Sequence, residues 1–392
     1  MEQSRSTSKD LALMIAFILI ASLDSVYKYT GIAGLAGYFI LAPAFLYVYF
    51  RRIFPILLER VPVRQASVAA CMLVLVLGIL AFYLYGLANS GQIGPGSDGD
   101  DAIIIGATEL LAGRFPFYPL TYLGNPIAPM PGAVLFAVPF VLAGIYPLQS
   151  VFWLTVFFVT IGLTTGSLQR TLFMALPVLA VSPTIFQNIS SGADHIANSV
   201  YILLFSLLLI RAVHKTKTRW WEYTIPAVLL GVGLSSRSNF AFIVPMLFIL
   251  FWRVKGIGAA SGICSIIGIA GLSVTLPFWL YDPQGFTPLI VQTGKMQQFD
   301  GIVPHAGIVL TVVAIALSLL LTRRRNSELP AVFYQNLAFV QVFILVFTST
   351  LFSLWIGEFN LYFGHVGYGL FVMFFGLFAQ WIRLSPTHMG ID

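Results

Sequence analysis

Charge is what this sequence most lacks. Only 9% of its 392 residues are Asp, Glu, Lys or Arg, against about 25% in a soluble domain. So few charges cannot clothe a water-facing surface, and 58% of the chain is hydrophobic. A soluble globular protein is excluded, and a polytopic membrane protein is what remains. Cysteine is almost absent. Cys71 and Cys264 lie in apolar runs without paired spacing, which excludes a zinc or redox motif and reads as packing. No internal repeat is evident, and no linker marks a second domain. The formal charge of +6 does not call for nucleic acid, because excess Lys and Arg in a membrane protein collect in loops on one side.

Apolar runs are what the sequence has in quantity. A spanning helix needs about 20 such residues. The runs 11–29, 31–50, 66–88, 150–168, 171–187, 195–212, 256–281, 305–321, 330–356 and 361–382 qualify or nearly so. Two shorter runs, 222–236 and 239–252, flank "SSRSN" and read as a helix pair. The first run follows Arg5 and Lys9, like a signal peptide, but the many later runs favour a retained anchor.

Basic residues set the orientation. "RRIFPILLERVPVR" (51–64), "RAVHKTKTR" (211–219), "RVK" (253–255) and "TRRR" (322–325) should share the cytoplasmic side. They do so if 131–148 lies in the interface and does not cross. Of 21 Lys and Arg, 17 then fall on that side, leaving Lys28, Arg114, Arg237 and Lys295 opposite. The reading is an all-α integral protein of an inner or plasma membrane, a single transmembrane domain over 1–392. It has about twelve spans, both termini cytoplasmic, and outward loops at 89–149 and 282–304. The first loop carries two non-spanning interfacial helices, about 100–112 and 131–148.

That loop also holds the densest acid in the chain, "GSDGDDAIIIGATELLAGRFPFYP" (96–119). Ser97 with Asp100, and Asp98 with Asp101, have the spacing of helix N-terminal caps. One aspartate suffices for a cap, and three within four residues repel one another. The alternatives are a solvated loop, a general base whose pKa is raised by its neighbours, or a carboxylate pair holding magnesium or manganese.

The loop resembles that of polyprenyl-phosphate-dependent glycosyltransferases of the GT-C class, among them the aminoarabinose transferases and protein O-mannosyltransferases. Carrying the resemblance are the span before the loop, the acid, the lying helix and "NPIAPMPG" (125–132), which leads into a second lying helix. "SSGADHIANSVYILLF" (190–205), "GVGLSSRSNFAFIVP" (231–245) and "LPFWLYDPQGF" (276–286) are similar to further segments of the class. The match is one of pattern over roughly 66–300. The Lys-Pro-Pro or His-Pro-Pro form of the proline motif, a large soluble C-terminal domain and the usual span order are missing.

The resemblance implies a GT-C-like fold and an inverting transfer of sugar from a polyprenyl-phosphate donor to a lipid or glycan acceptor on the outer face. Asp100 or Asp101, with Asp98 beside them, would activate the acceptor hydroxyl or bind metal. Arg237 would meet the donor phosphate, which its fork suits; otherwise it pairs with an acid to stabilise the turn. Asp194 and His195 open a span, as a cap or as site residues. Lys295 and Gln292 lie in the second outward loop, and Arg114 in the first. His305 and His365 also lie outward, and a metal site needs two histidines to converge with Asp100. The other function classes are a transporter or flippase of lipid-linked sugars, and a non-catalytic relative. A transporter should carry mid-span polar residues and paired repeats, whereas here polar residues gather at one surface.

Overall fold

The protein is described by a computed structural model over residues 2–90, 97–323, 329–361 and 367–384, with 2–7 by backbone alone. Among the described residues it is helical, with one isolated β-bridge, Leu120 to Pro126. The N-terminal part comprises α1 (Glu2–Ile20), α2 (Leu23–Val48), α3 (Phe54–Arg60) and α4 (Val63–Asn89). The first acidic loop carries α5 (Gly99–Leu111) and α6 (Pro131–Leu142). Then follow α7 (Gln149–Thr165), α8 (Leu168–Val181), α9 (Pro183–Ser191), α10 (His195–His214), α11 (Trp220–Leu234), α12 (Ile243–Lys255) and α13 (Ile257–Tyr281). The last helices are α14 (Thr287–Gln297), α15 (Ala306–Thr322), α16 (Pro330–Ile356) and α17 (Tyr368–Leu384).

Seven helical stretches are long and apolar enough to cross a membrane, or eight if the bent pair α8–α9 is one span. α6, α15 and α17 are shorter apolar helices. The centre is α10, buried over 83% of its most apolar window. It is packed by α7, α11 and α17, and α17 in turn by α1 and α16. The outer stretches are as apolar and far less covered. α4 has a mean hydropathy of 2.6 with 11% of its window buried. Leu41, Leu163 and Ile40 are exposed by 71%, 77% and 69%. Helices apolar on every side suit a protein solvated by lipid. Their hydroxyls turn back on the helix, as lipid requires: Thr155, Thr160, Thr164 and Thr165 each donate to the carbonyl four residues earlier.

Several expectations meet their breaks here. The boundary expected between 29 and 31 falls on Gly31, whose φ of 65° and ψ of −164° interrupt α2. The expected span 11–29 is itself divided between α1 and α2. The expected single span 171–187 is two helices bent by 81°. Pro183 has no N–H to continue the ladder of α8 and starts α9 instead.

The helix expected over about 100–112 is α5, within one residue at each end. The segment 131–148 does not form one long helix. α6 has 12 residues, about 18 Å at 1.5 Å each, too short for a core of about 30 Å. Gly132 N donates to Ser235 O at 3.2 Å, and Tyr146 Oη donates to Gly192 O at 2.7 Å. The turns it reaches, 191–194 and 235–237, are joined by the Arg237–Asp194 ion pair. The segment therefore begins and ends at the same end of the bundle. Gly132 is required there, since a Cβ would stand 2.2 Å from Val232 O.

Candidate functional site

The acidic run sits at the N-terminus of α5, and its three carboxylates do not act together. Asp98 is at the cap position, yet its side chain makes no capping bond. Instead its Oδ2 accepts from Thr121 Oγ1 and Asn125 Nδ2, both at 2.7 Å. Asp101, nearly one turn on, accepts a long 3.4 Å bond from Tyr122 N. These two hold the segment 121–125 that leads into the proline-rich stretch. Asp100 lies about 200° around the helix from Asp98 and points inward.

Asp100 is 2% exposed. Its Oδ2 accepts from Tyr85 Oη at 2.6 Å and Asn89 Nδ2 at 3.1 Å. Its Oδ1 is buried without a partner. Burial pushes the Asp100 carboxyl above its ordinary pKa, and the bonds from Tyr85 and Asn89 oppose that. Gly192 presses on this group. A Cβ there would stand 2.7 Å from Asp100 Cβ and 2.8 Å from Tyr85 Cε2, and its φ is +62°. Only glycine meets both conditions.

A second polar centre opens α10. Arg237 Nη2 donates to Asp194 Oδ1, and Asn198 Nδ2 donates to Asp194 Oδ2 at 2.9 Å. Tyr201 Oη donates to Asn198 Oδ1. Arg237 Nε is buried without a partner, while the side chain as a whole is 26% exposed. Burial would raise the Asp194 carboxyl, but Arg237, His195 and the bonds from Arg237 and Asn198 outweigh it and hold it below the usual range. His195 bonds with neither member of this pair among the described contacts; its Nδ1 stands against Asn188 Nδ2 at 3.3 Å and its ring against Phe371.

Lys295 joins the two halves. Crowding of its ammonium and the Arg237 guanidinium lower its pKa, and Asp98 raises it. The lysine therefore lies within electrostatic reach of both. The residue as a whole is exposed, while its ammonium is the crowded end. Gln292 is half-buried one turn before it on α14. The proline-rich stretch is tied to the start of α14, where Ile127 O accepts from Thr287 Oγ1 at 2.6 Å.

Not every candidate joins these groups. Arg114 makes a bidentate pair with Glu109, at 2.6 and 2.7 Å, on the exposed face of α5. His305 adopts φ 57° before α15, and His365 lies outside the described residues. Among the described residues no three His, Cys, Asp or Glu stand together as metal ligands. Asp100 points away from Asp98 and Asp101, so the three carboxylates do not converge on one magnesium or manganese ion. The residues that sequence reasoning missed are Tyr85, Asn89, Thr121, Gly192 and Asn198. Tyr85 and Asn89 are four apart at the end of α4, one face in any helix reading. No family model, no curated protein and no solved structure matches this chain.

Proposed function

We propose that this chain is an integral membrane glycosyltransferase of GT-C type, moving a sugar from a polyprenyl phosphate to a lipid or glycan hydroxyl with inversion. The observation that carries the reading is that Lys295 lies within electrostatic reach of both half-buried Asp98 and Arg237. A carboxylate opposite two cations can take a proton on one side while a phosphate's charge is met on the other. In this reading Asp98 accepts the proton of the acceptor hydroxyl. The acceptor oxygen bonds to the anomeric carbon, and the bond from that carbon to the phosphate oxygen breaks. The prenyl phosphate leaves with its charge against Arg237 and Lys295.

The sequence puts Asp100 and Asp101 first as the base. Accessibility favours Asp98, because a base must touch the proton it removes and Asp100 is enclosed. Asp100 serves as a buried pin between α4, α5 and the Gly192 turn. The proposed topology has twelve spans, with α15, α17 and the helix pair α11–α12 among them. Both termini are cytoplasmic, and Asp98, Lys295 and Arg237 lie on the outward side.

Sugar transfer from a polyprenyl-phosphate donor by Asp98→Asn, Asp100→Asn and Asp101→Asn, at matched protein level, tests the proposal. Asp98→Asn should lose about 10²- to 10⁴-fold, the usual worth of a general base. Near-normal transfer in all three removes the base and the reading with it. The competing reading, a carrier of lipid-linked sugars, draws on the 81° break at Ser182 beside buried Asp24. There Ser25 Oγ meets Thr184 Oγ1 and Gln187 Oε1, both at 2.5 Å. Movement of a labelled prenyl-phosphate sugar across vesicles without transfer would favour it.

A further inference from the structure

The stretch 115–132, "FPFYPLTYLGNPIAPMPG", carries no Asp, Glu, Lys or Arg. Its middle is a tight turn, closed by an antiparallel bridge between Leu120 and Pro126. Thr121 N donates to Asn125 O and Gly124 N to Thr121 O, both at 2.9 Å, and Asn125 N donates to Thr121 Oγ1 at 3.2 Å. The turn satisfies these backbone groups from within, as a segment with little water around it requires. Its side chains do the opposite of what a watery loop asks. Tyr118, Leu120, Tyr122 and Leu123 are exposed by 57%, 58%, 56% and 47%. Large apolar groups scattered singly are ordinary on a surface, whereas a run of them in one turn marks a contact.

What lies against them follows from α13. That helix has 25 residues and a mean hydropathy of 2.0, with 17% of its most apolar window buried. At 1.5 Å per residue it is about 37 Å long, against a hydrocarbon core of about 30 Å. A crossing α13 therefore puts its last turn at the edge of the core. Trp279 and Tyr281 in that turn are exposed, as aromatic residues at the headgroup level are. The uncharged stretch is fastened there. Phe115 stacks on Tyr281 at 5.3 Å and 28°, and Phe117 meets Phe278 edge-on at 5.7 Å. Tyr118 Oη donates to Asp282 Oδ2 at 3.0 Å. The apolar turn thus continues the lipid-facing end of a span.

We propose that the turn 118–123 is seated in the lipid of the leaflet at this end of the bundle, with Leu120 and Leu123 about 5–10 Å into the boundary between headgroups and acyl chains. A protein partner or a second copy would also cover apolar groups, but neither would account for their being fastened to the end of a span. Asp98 Oδ2 accepts from Thr121 and Asn125 on either shoulder of the turn, both at 2.7 Å, so the seat also fixes Asp98 at headgroup level. The seat does not depend on the catalytic reading.

Spin labels on single cysteines test it, in a background with Cys71 and Cys264 replaced and with one full-length chain in each phosphatidylcholine nanodisc. Collision with oxygen, which concentrates in lipid, is compared with collision with a water-soluble nickel chelate. Leu272→Cys, about 14 Å back along α13 and exposed, gives the lipid reference. Lys217→Cys, in the exposed loop after α10, gives the aqueous one. At Leu120→Cys and Leu123→Cys the oxygen-to-nickel ratio should exceed that at Lys217 by about fivefold or more, as for labels seated in the boundary. Both side chains are exposed, so replacing them leaves the packed core intact. A ratio at either position no higher than at Lys217 overturns the proposal, since water then meets the turn and only a protein partner or a second copy is left to cover it. Low collision with both reagents also overturns it, because the turn would then be closed off by the chain itself.

Discussion

Tyr85 holds one oxygen of Asp100 at 2.6 Å while the other oxygen, equally buried, has no partner. The group is half-solvated by protein and half-stranded. Its pKa is raised, chiefly by burial. A carboxyl raised on folding stabilises the fold at pH below its unfolded value, near 3.8. That contribution is lost as pH rises through the folded value. Asp100→Asn should therefore raise the melting temperature at pH 7 to 8, and the gain should shrink toward pH 4. Tyr85→Phe removes a bond that favours the ionised form, so it should lower the melting temperature most at high pH. A gain for Asp100→Asn that is the same at pH 4 and pH 8 would show that Asp100 does not carry the stranded charge.

Asp98 depends on a different pair. Thr121 and Asn125 both bond to one of its oxygens, Oδ2, and Lys295 lies within electrostatic reach. Thr121→Ala and Asn125→Ala should each reduce kcat by about tenfold with little change in KM for the donor. A small misplacement of a base is costly where a loss of affinity is not. Full turnover in both variants would show that the segment 121–125 does not position the base.

How far the sequence led can be seen in α5 and Asp100. The helix was legible to within a residue because its polar residues recur at helical spacing and its ends carry acid and Gly113. The inward turn of Asp100 was not legible. It depends on Tyr85, Asn89 and Gly192, which reach it from other elements, and single-helix periodicity does not contain them. Arg237 was singled out as the cation of a turn with an acid as its alternative partner, and Asp194 is that acid. Their joining across 43 residues is a tertiary fact. The 81° bend at Ser182 was within reach, since Pro183 in an apolar run is a break signal. The run's length hid it.

Sidedness follows from charge and is open to labelling. In a background with Cys71 and Cys264 replaced, cysteines at Ser97 and Thr293 should react with an impermeant thiol reagent from outside intact cells. Cysteines at Gln65 and Thr218 should react only after lysis. Reaction of Gln65 and Ser97 positions from the same side would place an even number of crossings between them and break the proposed topology at α4.

The Arg237–Asp194 pair separates a structural role from a catalytic one. Asp194 is 5% and Arg237 26% exposed on the side chain, so removing one partner strands a charge at a cost of about 3–5 kcal/mol. Arg237→Met should lower protein level and melting temperature sharply. Because the Asp194 carboxyl is held low, its contribution is present above the unfolded value near 3.8 and disappears only as pH falls through the lowered one. The double variant Arg237→Met/Asp194→Leu replaces the pair by apolar groups and should recover most of the melting temperature. It should not recover sugar transfer, because no guanidinium is left to meet the departing phosphate. Arg237→Lys keeps the charge and should keep the fold, but lacks the two-pronged fork and should transfer more slowly. If the double variant regained both stability and transfer, the pair would be a strut of the α10–α11 junction, and the phosphate site would have to rest on Lys295 alone.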